Sequence, residues 1–222
     1  MKNLFLCICL VSGLLGFSQD WANMNFFKEK NRQLMAEEKT IDAVFMGNSI
    51  TQGWVDMRPH FFAENSFVNR GIGGQTTPQM LLRFRQDVID LKPKAVVILA
   101  GINDIAENTG PISLEDIAAN IESMIELAIA HGIHSLVCSV LPANNFPWRP
   151  EILPREKVIK LNELLRALTE KHQVTYVDYY TSTVDAEGGL ISELGYDTVH
   201  PNDSGYEVLE PIILESLQSV LR

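Results

Sequence analysis

The chain is poor in cysteine and in positive charge, and each shortage excludes a class of protein. Of three cysteines in 222 residues, Cys7 and Cys9 fall in the first ten positions and Cys138 stands alone in the rest. A single remaining thiol cannot close an internal disulfide, so the fold must be held by its core. Cys138 lies inside the apolar stretch Leu136 to Leu141, where it reads as a small buried hydrophobe rather than a reactive thiol. Lysine and arginine number 18 against 28 aspartates and glutamates, a formal charge of −10. No basic cluster interrupts that acidity, which excludes nucleic acid as a partner. No Lys/Arg-rich amphipathic helix is present to grip an anionic lipid surface either.

Long apolar runs are missing too, with one short exception. Lys2 precedes an apolar run from Leu4 to Leu15, followed by Gly16-Phe17-Ser18, with small residues where a signal peptidase reads. The run is too short to span a bilayer as a permanent helix, and no polar face interrupts it as one would in a buried N-terminal helix. Residues 1–18 therefore read as a secretory signal cut after Ser18. Neither Cys7 nor Cys9 follows a convincing lipobox, so a lipid anchor is not favoured. The expected mature chain, residues 19–222, carries 17 basic and 28 acidic residues. It is expected to be secreted or periplasmic, without stable membrane insertion. Linkers, repeats and low-complexity segments are all lacking, so 19–222 reads as a single domain.

What remains has the 46% apolar and 21% charged content of an ordinary globular protein. Short apolar runs alternate with segments of helical period. Residues 41–47, 67–69, 94–100, 135–141 and 174–178 read as strands, several of them continuously apolar, as strands buried on both faces should be. Helices are expected near 23–38 and 78–90. A third starts at Ser113, with a capping-box-like Asp116 and a stripe of Ile117, Ile121, Met124 and Ala128, and stops at Gly132. A fourth follows Pro154 with Val158, Leu161, Leu165 and Leu168, and a last one runs over 204–221, where Ser204 and Glu207 suggest a cap. The alternation predicts an α/β protein, a three-layer α/β/α sandwich on a five-stranded parallel sheet. The loop 142–154 is long, holds four prolines with Trp148 and Arg149, and is of the kind that often serves function.

Four short segments carry the chemistry. They are Gly47-Asn48-Ser49, Gly73-Gly74-Gln75-Thr76, Gly101-Ile102-Asn103-Asp104 and Asp197-Thr198-Val199-His200. Each follows a strand, the last after a longer connection, so all four fall on the carboxyl edge of the sheet, where ligands bind in such folds. Ser49 is an unactivated alcohol unless an imidazole takes its proton, and His200 is the candidate base, with Asp197 to orient it. Alone, an Asp-x-x-His pair is as readily a surface histidine beside a helix cap. Acyl transfer also needs donors for its oxyanion, and Ser49 N–H, Gly74 N–H and the Asn103 amide are on offer. The glycine-rich run 71–74 otherwise reads as a tight turn or a phosphate loop, but Thr76 occupies the last glycine position of a dinucleotide fingerprint and no Walker-type lysine follows. Asp104 is expected to brace a loop rather than to act as an acid. The spacing of His60, His131, His134 and His172 makes no zinc site, and no metal is expected. Trp54 and Trp148 are candidates to line an acyl or sugar pocket, although aromatics are more often packing residues.

These residues resemble the SGNH-hydrolase superfamily, the GDSL esterases and lipases, over nearly the whole of 19–222. The run Asn69-Arg70-Gly71-Ile72-Gly73-Gly74-Gln75-Thr76-Thr77 is most similar to the branch of platelet-activating factor acetylhydrolase subunits. The resemblance implies a flavodoxin-like sheet, no cofactor, Ser49 as nucleophile, Gly74 and Asn103 in the oxyanion hole, and Asp197 with His200 completing a triad. It departs at Asn48, where the family has aspartate, and at Gln75, where an aspartate is common. The implied activity is a serine esterase acting on a small ester or acylated carbohydrate, with an acetyl group on an extracellular O-acetylated glycan as the favoured substrate. Two rivals are a carbohydrate-binding protein that has lost catalysis and a nucleotide- or flavin-binding module. The first is weakened because every proposed catalytic position is filled, the second because the phosphate fingerprint is missing.

Overall fold

The computed structural model describes residues 20–221; the expected signal segment 1–18 lies outside them. Five parallel strands, β1 (Ala43–Gly47), β2 (Phe67–Gly71), β3 (Ala95–Leu99), β4 (His134–Cys138) and β5 (Thr175–Val177), form one sheet in the order β2-β1-β3-β4-β5. All five residues of β1 and of β3 are buried, which explains their uninterrupted apolar sequences. The register sets Gly47 beside both Gly71 and Leu99, so the central strands end level with one another.

Nine helices flank the sheet among the described residues. The longer ones are α1 (Lys28–Glu37), α2 (Ser49–Met57), α3 (Pro59–Glu64), α4 (Thr77–Asp87), α6 (Leu114–Ala130), α7 (Arg155–His172) and α9 (Asp203–Val220), and two single turns are α5 (Ile102–Ile105) and α8 (Tyr180–Thr183). Right-handed crossovers place α2 and α3 on one face and α4, α6 and α7 on the other. Contacts of α6 with both α4 and α7 agree. The expected stripe of Ile117, Ile121, Met124 and Ala128 is wholly buried on α6. On the opposite face Trp54 of α2 stacks on Tyr206 of α9 at 5.2 Å, over an aromatic cluster that includes Phe45, Phe61 and Phe62. The order 2-1-3-4-5 reverses direction at β1 and β3, so the loops leaving those strands part and open a crevice. Ser49 follows one of these strands and Asn103 the other.

One expectation about local structure is corrected. The cap of α9 is not Ser204 but Asn202, whose side chain accepts a bond from Gly205 N at 3.0 Å. Asn202 has extended backbone angles and its amide is at least as good a cap, while Glu207 is drawn to Arg58 at 3.0 Å instead. Helix α2, not predicted from the sequence, begins at the serine without any loop between.

Candidate active site

The strand-to-helix junction after β1 is tight. Asn48 is the N-cap of α2 and its side-chain oxygen accepts the Ile50 N–H at 3.0 Å. A neutral amide thus performs the capping bond at the position of the family's aspartate. Ser49 is the first residue of α2, so its own N–H lies among the helix-start donors that have no partner one turn back. Space here is short: a Cβ on Gly71 would sit 2.2 Å from Gln52 N and 2.8 Å from the Asn48 carbonyl, so only glycine lets β2 end against this turn.

Behind the turn lies a buried ionic network. Arg83, fully buried, donates to the Gly47 carbonyl at 3.0 Å, to Gln75 Oε1 at 2.6 Å and to Asp87 Oδ2 at 2.9 Å. Asn31 bridges Asp87 to the second buried guanidinium, Arg70, which burial pushes down to about 10. Gln75 completes the arrangement by donating to the Ala22 carbonyl at 2.8 Å. It therefore serves the structure behind the site rather than facing it.

Ser49 Oγ lies 2.9 Å from His200 Nε2, and His200 Nδ1 lies 2.8 Å from Asp197 Oδ2. The serine and histidine are 151 residues apart in sequence. Asp197 also accepts the backbone N–H groups of Val199 at 2.8 Å and His200 at 2.7 Å. Burial opposes its charge, but these backbone bonds and the imidazole outweigh it and hold the carboxyl below its usual range. The loop is closed on itself by Tyr196 N donating to the His200 carbonyl at 3.1 Å.

The expected oxyanion donors Gly74 and Asn103 lie on loops that are bonded to one another. Gly74 has φ +75°, a left-handed conformation that favours glycine, with open space where a Cβ would be. Its turn is pinned by Gly73 N–H on Gln52 Oε1 at 2.7 Å and by Asn108 Nδ2 on the Gly74 carbonyl at 3.2 Å. Asn103 is buried and donates from Nδ2 to the Gln75 carbonyl at 3.0 Å. Asp104 points away and accepts the Thr77 N–H at 2.9 Å and the Thr77 hydroxyl at 2.6 Å, bracing the start of α4. Burial pushes its carboxyl up to about 6.

The two tryptophans separate. Trp54 is 1% exposed and packed in the aromatic cluster, so it is corrected from a pocket candidate to a core residue. Trp148 is exposed, stacks on buried Phe146 at 5.3 Å and lies 6.3 Å from the His200 ring. The proline-rich loop that carries it meets the histidine loop through Thr198 Oγ1 and Asn145 Oδ1 at 3.2 Å. Sequence reasoning missed Tyr196, whose ring stacks on His200 at 5.4 Å and 9°. Its only signal was adjacency to Asp197. Cys138 is buried and its thiol is pushed up to about 12, as expected of an inert core residue.

Glu122, Glu126 and His172 bring ligand atoms within 4.8 Å of one another, a grouping from two helices that histidine spacing could not reveal. Glu122 is already engaged there by Lys171 at 2.6 Å and His172 at 2.7 Å. Among the described residues no helix is long and apolar enough to cross a membrane.

Comparison with known proteins fits this geometry. The profile of the GDSL-like Lipase/Acylhydrolase family matches residues 45–208. The chain belongs to that family. A putative acylhydrolase from Bacteroides fragilis is 43% identical, with 92% of this chain and 100% of that chain covered and a TM-score of 0.88. A GDSL-like lipase from Bacteroides thetaiotaomicron is 42% identical over 89% of this chain and 98% of its own, with a TM-score of 0.85. Platelet-activating factor acetylhydrolase IB subunit alpha2 from Homo sapiens is 27% identical over 195 residues, 84% of this chain and 81% of its own. This chain is an SGNH-type carboxylic ester hydrolase.

Proposed function

We propose that Ser49, His200 and Asp197 are the catalytic triad of an esterase that works through an acyl-enzyme on short acyl esters outside the cytoplasm. The observation that carries this reading is the unbroken hydrogen-bond chain from Ser49 Oγ through His200 to Asp197, at 2.9 and 2.8 Å. Ser49 Oγ attacks the ester carbonyl carbon while His200 Nε2 takes the hydroxyl proton, and Asp197 orients the ring and stabilises the imidazolium. The carbonyl oxygen becomes an oxyanion, met by Ser49 N–H, Gly74 N–H and the second hydrogen of Asn103 Nδ2. Collapse breaks the bond to the alcohol, which leaves with the proton from His200. Water, deprotonated by His200, then attacks the acyl-serine carbonyl. Collapse breaks the bond to Ser49 Oγ, which takes the proton back from His200 as the acid leaves. No metal or cofactor enters these steps.

The favoured substrate is an acetyl ester on an O-acetylated glycan. The signal-like residues 1–18 argue for cleavage after Ser18 and a secreted or periplasmic mature domain, 19–222. Exposed Trp148 beside His200 offers a flat face to a sugar ring where the alcohol must leave. The test is hydrolysis of p-nitrophenyl esters from acetate to octanoate by the mature protein and by Ser49→Ala. Turnover greatest for acetate and absent from the folded variant is expected. Equal turnover by Ser49→Ala would overturn the triad, and a preference for octanoate would overturn the short-acyl assignment.

A further inference from the structure

The His200 imidazole is held at two points, by Asp197 at Nδ1 and by Ser49 at Nε2. Two bonds at nearly opposite sides of a ring resist sliding but resist rolling about the line between them far less. Catalysis needs the plane as well as the position, because Nε2 must face first the serine hydroxyl and then the leaving alcohol. A third contact on the ring face would fix that plane. Tyr196 supplies one, with ring centroids 5.4 Å apart and planes 9° from parallel.

Tyr196 is not on this face by hydrophobic burial, since it is 61% exposed. Its backbone is nevertheless fixed. Tyr196 N donates to the His200 carbonyl at 3.1 Å, Gly195 pairs with Pro201, and Asn202 ties the loop to Gly195 at 3.2 Å and to Leu194 at 2.9 Å. The loop therefore presents one aromatic face to the imidazole. An aromatic face near a cation stabilises it through the negative potential of the ring. The other neighbours do not duplicate this. Asp197 meets the ring edge, Trp148 is tilted by 38° at 6.3 Å, and Arg149 beside it is tied to Glu151 at 2.7 Å and Glu107 at 3.5 Å.

We propose that Tyr196 is a positioning residue whose ring, stacked on His200, fixes the imidazole plane and favours the imidazolium formed during acyl transfer. The proposal rests on the triad reading above, but one of its tests does not need turnover. Tyr196→Phe keeps the aromatic face and Tyr196→Leu removes it, at a site exposed enough to leave folding intact. With p-nitrophenyl acetate, the Phe variant should stay within about twofold of wild type, and the Leu variant should lose about tenfold in kcat with KM little changed. Loss of cation stabilisation lets the base form persist in more acid solution. The acidic limb of kcat/KM should therefore move to lower pH in Tyr196→Leu, by about half a pH unit. Independently of turnover, the low-field proton resonance of the His200–Asp197 bond, identified by its loss in His200→Gln, should broaden in the Leu variant and persist in the Phe variant. Unchanged kcat and limb in Tyr196→Leu would overturn the proposal while leaving the triad intact. A loss in Tyr196→Phe equal to that in Tyr196→Leu would also overturn it, by assigning the effect to the hydroxyl. If wild type turned over no ester, an unchanged resonance in the Leu variant would overturn it alone.

Discussion

At Asn103 a side-chain amide carries two hydrogens, and one of them is used within the fold, in the 3.0 Å bond to the Gln75 carbonyl. That bond fixes the amide plane, and in the mechanism proposed above the second hydrogen would be a preorganised donor to the oxyanion. Asn103→Ala is expected to lower kcat by about 10²–10³ with a small change in KM. It should cost only about 1 kcal/mol in urea unfolding, the worth of one net hydrogen bond. A rise in KM with kcat unchanged would point to ground-state binding instead. Ser49, Asn103, Asp197 and His200 were legible in the sequence because each sits in a short motif with its own chemistry and follows a strand. Tyr196 was not, since a residue that acts by stacking leaves no pattern of type and spacing. Trp54 was misplaced because helix α2 went unseen. Nine residues starting directly at the serine, with only Ile50, Thr51 and Trp54 buried, give too little period to detect.

Between β1 and α4 the elements are tied by a buried charge as well as by apolar packing, to which Met80 and Phe84 contribute. Arg83 on α4 reaches the last carbonyl of β1 and is neutralised one turn along its own helix by Asp87, both almost fully buried. Such a pair adds little net stability over apolar residues, but breaking it strands a buried charge. Arg83→Met is therefore expected to destabilise by about 3–5 kcal/mol, read by the midpoint of urea unfolding. Asp87→Leu should destabilise at least as much, because it strands both Arg83 and Arg70, and an Asp87→Leu variant as stable as wild type would contradict the stranded-charge account. The strand runs were visible because they are continuously apolar, and the α6 stripe because it is long and strictly periodic. The network was not, since Arg70, Arg83, Asp87, Asn31 and Gln75 are dispersed polar residues whose meeting depends on the completed fold. The same holds for the cap of α9, where proximity of Ser204 and Glu207 in sequence gave way to Asn202 in space.

For the molecule as a whole, the strand order puts the parting of the β1 and β3 loops between the nucleophile and the Asn103 donor, so topology alone makes the crevice. Parallel alternation was readable from the chain, and the order itself entered only through the family likeness. The same arrangement buries Asp104 under the crevice, with a carboxyl pushed up to about 6 from an ordinary 3.8. A carboxyl that holds its proton more tightly when folded stabilises the native state fully below about pH 4 and loses that contribution as pH rises through about 6. The size is roughly 3 kcal/mol from the linkage of about 1.4 kcal/mol per pH unit. Asp197 has the opposite sign, its contribution lost only as pH falls below the usual carboxylate range. Unfolding free energy measured from pH 4 to 7 should therefore show a falling component that Asp104→Asn removes. A variant with the same slope as wild type would contradict the assignment.

The central claim is that Ser49 is the nucleophile, and covalent labelling reads it without any assumption about the natural ester. The measurement is the intact mass of the mature protein after reaction with an alkyl fluorophosphonate, followed by peptide mapping. One adduct per chain on Ser49, absent from Ser49→Ala and slowed in Asp197→Asn, is the result this account predicts. A wild type that takes up no label, or a Ser49→Ala protein that is labelled as readily, would contradict it.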